Sequence, residues 1–318
     1  MKRILEVIVV AVIFLCATPR AAESFEGEGV GYPDYWRTPL NCGIYSEDAR
    51  VRRLLADLAA LSTNVYLSVV DERSCRSHPT GDNCAEFIPV EGWAMIGGSG
   101  ESSRTGLVYR IYRRNLGPGG RSITVFSFRG TQFWSRDWMS NLYLRTAVPP
   151  PQHREAEAHL INWLTQHRPD WDLETGAGID EEIYAVGHSL GGAVAQYIAY
   201  TFPLVTAVVF NPSPRTGYGA IPPEKFRNPP VCRIRESYEA VYTLAGGKVP
   251  IVEPNMHSCG FINQHRLRFP LLPSLVSAHS MYSMAESLAC YAENSTPSER
   301  CEQILSEKHR AMPGVLCH

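Results

Sequence analysis

Hydrophobic and polar positions alternate with two periods along this chain, and the periods divide it into helices and strands. Val51, Leu54, Leu55, Leu58 and Leu61 recur at helical spacing, which predicts an amphipathic helix over 47–61. Two short β-prone runs follow at 93–96 and 106–112, the second alternating apolar with polar residues. A Gly- and Pro-rich turn at 115–120 separates that run from another at 122–128, so the two should pair as a hairpin. Ala156, Leu160, Trp163 and Leu164 mark a second amphipathic helix ending near Pro169. A β-prone run from Ile183, a small-residue stretch with helical potential over 190–202 and a wholly apolar run at 205–210 then form a strand–helix–strand unit. That order requires a parallel connection, and a wholly apolar strand is one covered on both faces.

Beyond this unit the pattern weakens. Residues 211–217 read as loop and 232–236 as a further strand. The Pro-rich segment 250–274 shows little periodicity and is expected to be irregular, and 280–291 returns to a helical pattern. Residues 23–45 read as an irregular arm, and the tail from 292 as a cap. The expectation is an α/β fold, a mostly parallel sheet flanked by helices, in one domain over 23–318.

Composition narrows the class. Of 318 residues, 44% are hydrophobic and 19% charged, as in a globular chain able to bury a large core, and the formal net charge is −2. Without a basic block, nucleic-acid binding has no electrostatic support. At the N-terminus Lys2 and Arg3 precede an apolar run over 4–17, and Ala21 and Ala22 follow. This charged–apolar–small order predicts a secretory signal over 1–22, removed on export to a secreted or periplasmic location. The run is short for a membrane anchor, so no transmembrane segment is expected after processing. Without Cys16 eight cysteines remain, an even number that suggests disulfide-stapled loops. Cys75/Cys84 and Cys290/Cys301 bracket polar loops and are the local pairs; Cys232/Cys259 and Cys42/Cys317 follow by elimination. No C-x-x-C or paired Cys/His spacing supports a metal. His153, His159 and His167, on or beside the second amphipathic helix, are expected on its solvated surface.

The chemistry concentrates where the strand from Ile183 meets the helix. Gly187-His188-Ser189-Leu190-Gly191 matches a nucleophile elbow, a tight turn that presents a serine hydroxyl above a sheet. The glycines two residues either side remove side chains that would collide, and the helix aims its first N–H groups at negative charge beside the serine. A serine needs a base and an orienting acid, which in the α/β-hydrolase order follow it as acid, then histidine. His279, between the Pro-rich segment and the last helix, is the preferred base over His257 and His265. Glu239, past the strand at 232–236, is the preferred acid, with Glu236 the alternative.

Three motifs together make the chain resemble the class 3 lipases, the fungal-lipase-like branch of the α/β-hydrolases. They are Phe128-Arg129-Gly130-Thr131 with Asp137-Trp138, Gly187-His188-Ser189-Leu190-Gly191-Gly192, and Pro214-Arg215-Thr216-Gly217. The resemblance implies that the backbone amides of Thr131 and Leu190 form the oxyanion hole. It also places an acid a few residues past the strand that carries Arg233, where Glu239 replaces the usual aspartate. The implied activity is cofactor-free hydrolysis of a lipid or other ester, with Phe133, Trp134, Trp138 and Met139 available to contact lipid or to pack inside. A carbohydrate-ester esterase and an inactive binding relative are the alternatives.

Overall fold

The computed structural model describes residues 49–77, 87–99, 105–116, 122–130, 150–172, 181–203, 205–213, 216–217, 220–222, 231–236, 256–261 and 281–292. These comprise helices α1 (Ala49–Asn64), α2 (Val69–Ser77), α3 (Pro151–His167), α4 (Leu190–Thr201) and α5 (Met281–Ala292). The strands are β1 (Ala94–Gly98), β2 (Tyr109–Asn115), β3 (Ser122–Phe128), β4 (Glu181–His188), β5 (Val205–Phe210), β6 (Val231–Glu236) and β7 (Met256–Phe261).

All seven strands lie in one sheet in sequence order. β1 pairs antiparallel with β2 and β2 with β3, the expected hairpin, and β3 through β7 run parallel. Alternation along the central strands separates two apolar layers. Val125, Tyr184, Val186, Val208, Phe210 and Ile234 face α1 and α5, meeting Leu58, Leu61, Met284 and Leu288. Phe126, Ile183, Ala185, Ala207 and Val209 face the opposite way, onto Leu160 and Trp163 of α3 and Tyr197 and Ile198 of α4. Strands so covered carry apolar residues on both sides, as β3, β4 and β5 do, with Ser122, Thr124, Ser127 and Thr206 as buried hydroxyls among them. With the helix-capped elbow described below, this parallel sheet sandwiched between helices is an α/β-hydrolase fold.

Four expectations need correction. Residues 69–77 are helical, so the helix runs into the stretch between Cys75 and Cys84 that is expected as a polar loop. The start signal is Ser68, whose Oγ accepts the Asp71 N–H at 3.0 Å and donates to the Asp71 carboxylate at 2.6 Å. The serine thus caps the helix through the N3 amide as in a capping box, while the return bond to the Asp71 carboxylate comes from its hydroxyl. Within the Pro-rich segment, Met256–Phe261 forms β7 and pairs in register with all of β6. Its His-Ser-Cys-Gly centre has neither alternation nor an apolar run, so only its pairing with β6 reveals it.

His153 is not solvated. It lies fully buried in the first turn of α3, edge-on to the Tyr197 ring with centroids 5.2 Å apart. His159 on the same helix is half-exposed, with its ring against Tyr109, and His167 is exposed. The Cys232/Cys259 pairing also fails: Cys232 is a buried thiol. Cys259 stands opposite Ile234, and His257 opposite Cys232. Two residues of stagger in adjacent strands separate the Cα atoms by roughly 8 Å, beyond disulfide reach. Cys75, by contrast, is buried and disulfide-bonded; its expected partner Cys84 lies outside the described residues. The other two pairs include residues outside that set, as do the proposed signal segment and the N-terminal arm.

Candidate active site

Because β3 to β6 are parallel, their C-terminal ends share one edge of the sheet. Phe128 is level with Gly187, His188 with Phe210, and Phe210 with Ile234. Each next residue therefore emerges beside the same spot: Arg129 and Gly130 after β3, Ser189 after β4, Asn211 after β5. This is where an open α/β sheet places its chemistry.

Ser189 sits at that spot with φ 55° and ψ −123°, a region that residues with a Cβ enter only under constraint. The constraint comes from both sides. Its N–H donates to Phe210 O at 3.1 Å, while its carbonyl accepts from Ala193 N–H at 3.3 Å and Ser213 N–H at 2.9 Å. Ser189 stands at the N-cap of α4, yet its side chain makes no capping bond, so the hydroxyl is not spent on the helix. It is partly exposed between the buried His188 and Leu190. The Leu190 N–H belongs to the first turn of α4, where amides lack intrahelical acceptors and the helix dipole favours an anion.

The glycines act through close approach. A Cβ on Gly187 would lie 2.4 Å from the Gly191 carbonyl carbon. One on Gly191 would lie 2.1 Å from Phe128 O, so Gly191 makes room chiefly for the end of β3. Gly130 is equally confined: its Cβ would meet the Tyr66 hydroxyl at 2.4 Å, His188 O at 2.6 Å and the Ser189 Cβ at 3.2 Å. Gly130 thus lies directly against the Ser189 side chain.

Two residues absent from the sequence reading belong to this site. Tyr66, just past α1, accepts the Gly130 N–H at 3.1 Å and lies 2.9 Å from His188 Nδ1. Burial pushes its phenol well above the ordinary value, against the opposing pull of the Gly130 amide and Arg129, so it stays protonated. No periodicity singles out Tyr66. Asn211 had a visible signal, an asparagine directly after a buried strand. It is buried with φ 40°, and its N–H donates to Ile234 O at 2.8 Å. Since asparagine tolerates positive φ, Asn211→Val should be less stable than Asn211→Gly by about 1–2 kcal/mol. Equal urea midpoints for the two variants would refute that.

Ser189 and Leu190 are thus brought together with Gly130. Thr131, Glu239 and His279 lie outside the described residues. The alternative acid Glu236 ends β6, two residues beyond the level of Phe210. Behind the elbow, buried Arg233 of β6 donates to Gln196 Oε1, and Gln196 donates to Gly192 O at 3.0 Å, tying β6 to the first turn of α4. Among the described residues no group of three His, Cys, Asp or Glu side chains is arranged to hold a metal ion. None of the described helices is long and apolar enough to cross a membrane.

No family model and no curated protein sequence matches the chain. Among solved structures it is similar to a lipase from Rhizopus microsporus var. chinensis, at 17% identity and a TM-score of 0.36, over 69% of this chain and 78% of that one. It is also similar to lipase II from Rhizopus niveus, at 12% identity and a TM-score of 0.35, over 67% of this chain and 80% of that one.

Proposed function

We propose that this protein is an exported serine hydrolase that cleaves carboxylic esters of lipids through a covalent acyl-enzyme. The observation that carries the reading is Ser189, held at positive φ on a strand-to-helix turn with its hydroxyl unused by the helix cap. Maintaining strain at a partly exposed serine has no evident structural benefit, whereas it presents Oγ to a substrate carbonyl. In this reading His279 takes the Oγ proton as Ser189 attacks the ester, and Glu239 orients the imidazole and stabilises the imidazolium. The Leu190 and Thr131 amides receive the negative charge on the former carbonyl oxygen. Collapse expels the alcohol with the proton from His279; a water then attacks the acyl-enzyme by the same route and frees the acid.

The lipid assignment draws on the three motifs shared with class 3 lipases. Export draws on the charged–apolar–small order of residues 1–22, and the disulfide at Cys75 suits an oxidising compartment. The test has two arms. A fluorophosphonate should label the purified protein once, on the peptide containing Ser189. Hydrolysis of a triglyceride or long-chain ester should then rise above simple saturation once the substrate aggregates. Labelling with activity only on soluble or carbohydrate esters would retain the serine chemistry and remove the lipid; absence of labelling would remove both.

A further inference from the structure

Tyr66 meets the site through its hydroxyl, with its ring tilted against the His188 ring at 6.0 Å between centroids. Its position in the chain, two residues past the end of α1, gives it no part in the strand-to-helix turn. Even so, the hydroxyl lies between two pieces of the site that come from different strands: Gly130, leaving β3, and His188, the last residue of β4. A phenol has one proton to give and lone pairs to receive. The Gly130 N–H occupies a lone pair, so the single proton is available to His188 Nδ1. The hydroxyl thus links the N–H of Gly130, which follows β3, to the ring of His188, which precedes Ser189.

The fit is tight. Only the missing Cβ of Gly130 lets the phenol approach, because that atom would lie 2.4 Å from the hydroxyl oxygen and 3.2 Å from the Ser189 Cβ. The β3–β4 ladder ends at the Phe128–Gly187 pair, and Arg129 N–H bonds back to Val108 O. Past that point, the Tyr66 hydroxyl is the acceptor that fixes the Gly130 amide beside the elbow.

We propose that Tyr66 is a positioning residue: by holding Gly130 to His188 it sets the distance between Ser189 and the oxyanion donor on the β3 side. This rests on the acyl-transfer reading above, in which the next residue, Thr131, supplies that donor. A donor helps only when it lies about 2.7–3.1 Å from where the oxyanion forms, so a small drift of Gly130 weakens transition-state binding and leaves ground-state binding largely alone.

The experiment uses Tyr66→Phe, which keeps the ring and removes the bridge. A soluble p-nitrophenyl ester is the substrate, and a trifluoromethyl ketone, which adds Ser189 to give a tetrahedral oxyanion, is the inhibitor. Rates are referred to sites titrated with fluorophosphonate, so a misfolded fraction drops out. The expected result is a kcat about tenfold lower, a ketone Ki about tenfold higher and a KM within about twofold of the parent. That is less than the hundredfold or more caused by outright loss of an oxyanion donor. A role confined to stability would lower the number of titrated sites and leave kcat per site and Ki unchanged, which would overturn the proposal. Should Tyr66→Phe yield no folded protein, His188→Gln disturbs the bridge from its other end. It should raise the ketone Ki about threefold, and an unchanged Ki there counts against the proposal equally. Failure of the acyl-transfer reading is seen separately, in the parent: a protein that no fluorophosphonate labels has no oxyanion for Tyr66 to serve.

Discussion

Ser189→Ala is expected to lower ester hydrolysis by roughly four to six orders of magnitude in kcat, since nothing else at the elbow can form the acyl-enzyme. Stability should hardly change, because alanine keeps the Cβ and the backbone bonds from Phe210, Ala193 and Ser213 remain available. Ser189→Gly separates strain from chemistry. Its activity should be equally lost, but glycine adopts φ 55° without penalty. Relief of strain is about 1–3 kcal/mol, against about 0.5–1 kcal/mol for the extra freedom of the unfolded chain. The balance favours Ser189→Gly over Ser189→Ala by about 1 kcal/mol, read as a higher urea midpoint. Comparable stability in the two variants would mean that the surrounding bonds, and not the serine's own backbone, set the turn's energy. Retained hydrolysis in Ser189→Ala would end the proposed mechanism.

The same site shows what a sequence can and cannot convey. Gly187, Ser189 and Gly191 are legible because their spacing is local, two positions either side of the serine, even though Gly191 makes room for the distant end of β3. β3, β4 and β5 are legible because a strand covered on both faces is predominantly apolar, as in Val205 to Phe210 with its single hydroxyl at Thr206. β7 is not, since Met256–Phe261 takes its conformation from β6. His153 misled for a related reason. Helical spacing alone places it on a polar helix surface, whereas Tyr197 of α4 and the backbone near Gly217 cover it. Tyr66 illustrates the general limit, a single tyrosine whose neighbours at Gly130 and His188 are 64 and 122 residues away. Asn211 lay within reach of a stricter reading, since an Asn-Pro pair after a buried strand already signals an unusual backbone.

Away from the elbow, Glu72→Gln is expected to destabilise the protein by about 3–5 kcal/mol, a large share of a typical domain's stability. The Glu72 side chain on α2 is fully buried. It accepts from Tyr112 at 2.9 Å and from Arg76 at 2.9 and 3.2 Å, and the Arg110 guanidinium lies 3.5 Å away and is itself only 1% exposed. Burial pushes the Tyr112 phenol far above its ordinary value, so it remains a donor to the carboxylate. Glutamine preserves shape and one acceptor but leaves the buried Arg110 charge uncompensated, and that uncompensated charge is the costly term. Removing both charges together often restores stability in other buried pairs, but Arg110 has further duties. It donates to Ser99 O at 2.8 Å, Tyr109 O at 3.0 Å and Leu67 O at 3.1 Å, so Arg110→Met leaves carbonyls short of a donor. Glu72→Met/Arg110→Met should therefore recover only part of the loss, with a coupling of about 1–3 kcal/mol between the two sites. In a thermal melt Glu72→Gln should lower Tm by roughly 10 °C at this chain length. A shift under about 3 °C would show that the hydrogen bonds alone, and not the charge, hold α2 to β2. Such a result would also bear on the active site: α2 and the turn before it, which carries Leu67, follow directly from Tyr66. If the charge is what anchors α2, losing it should also loosen the tyrosine that holds Gly130.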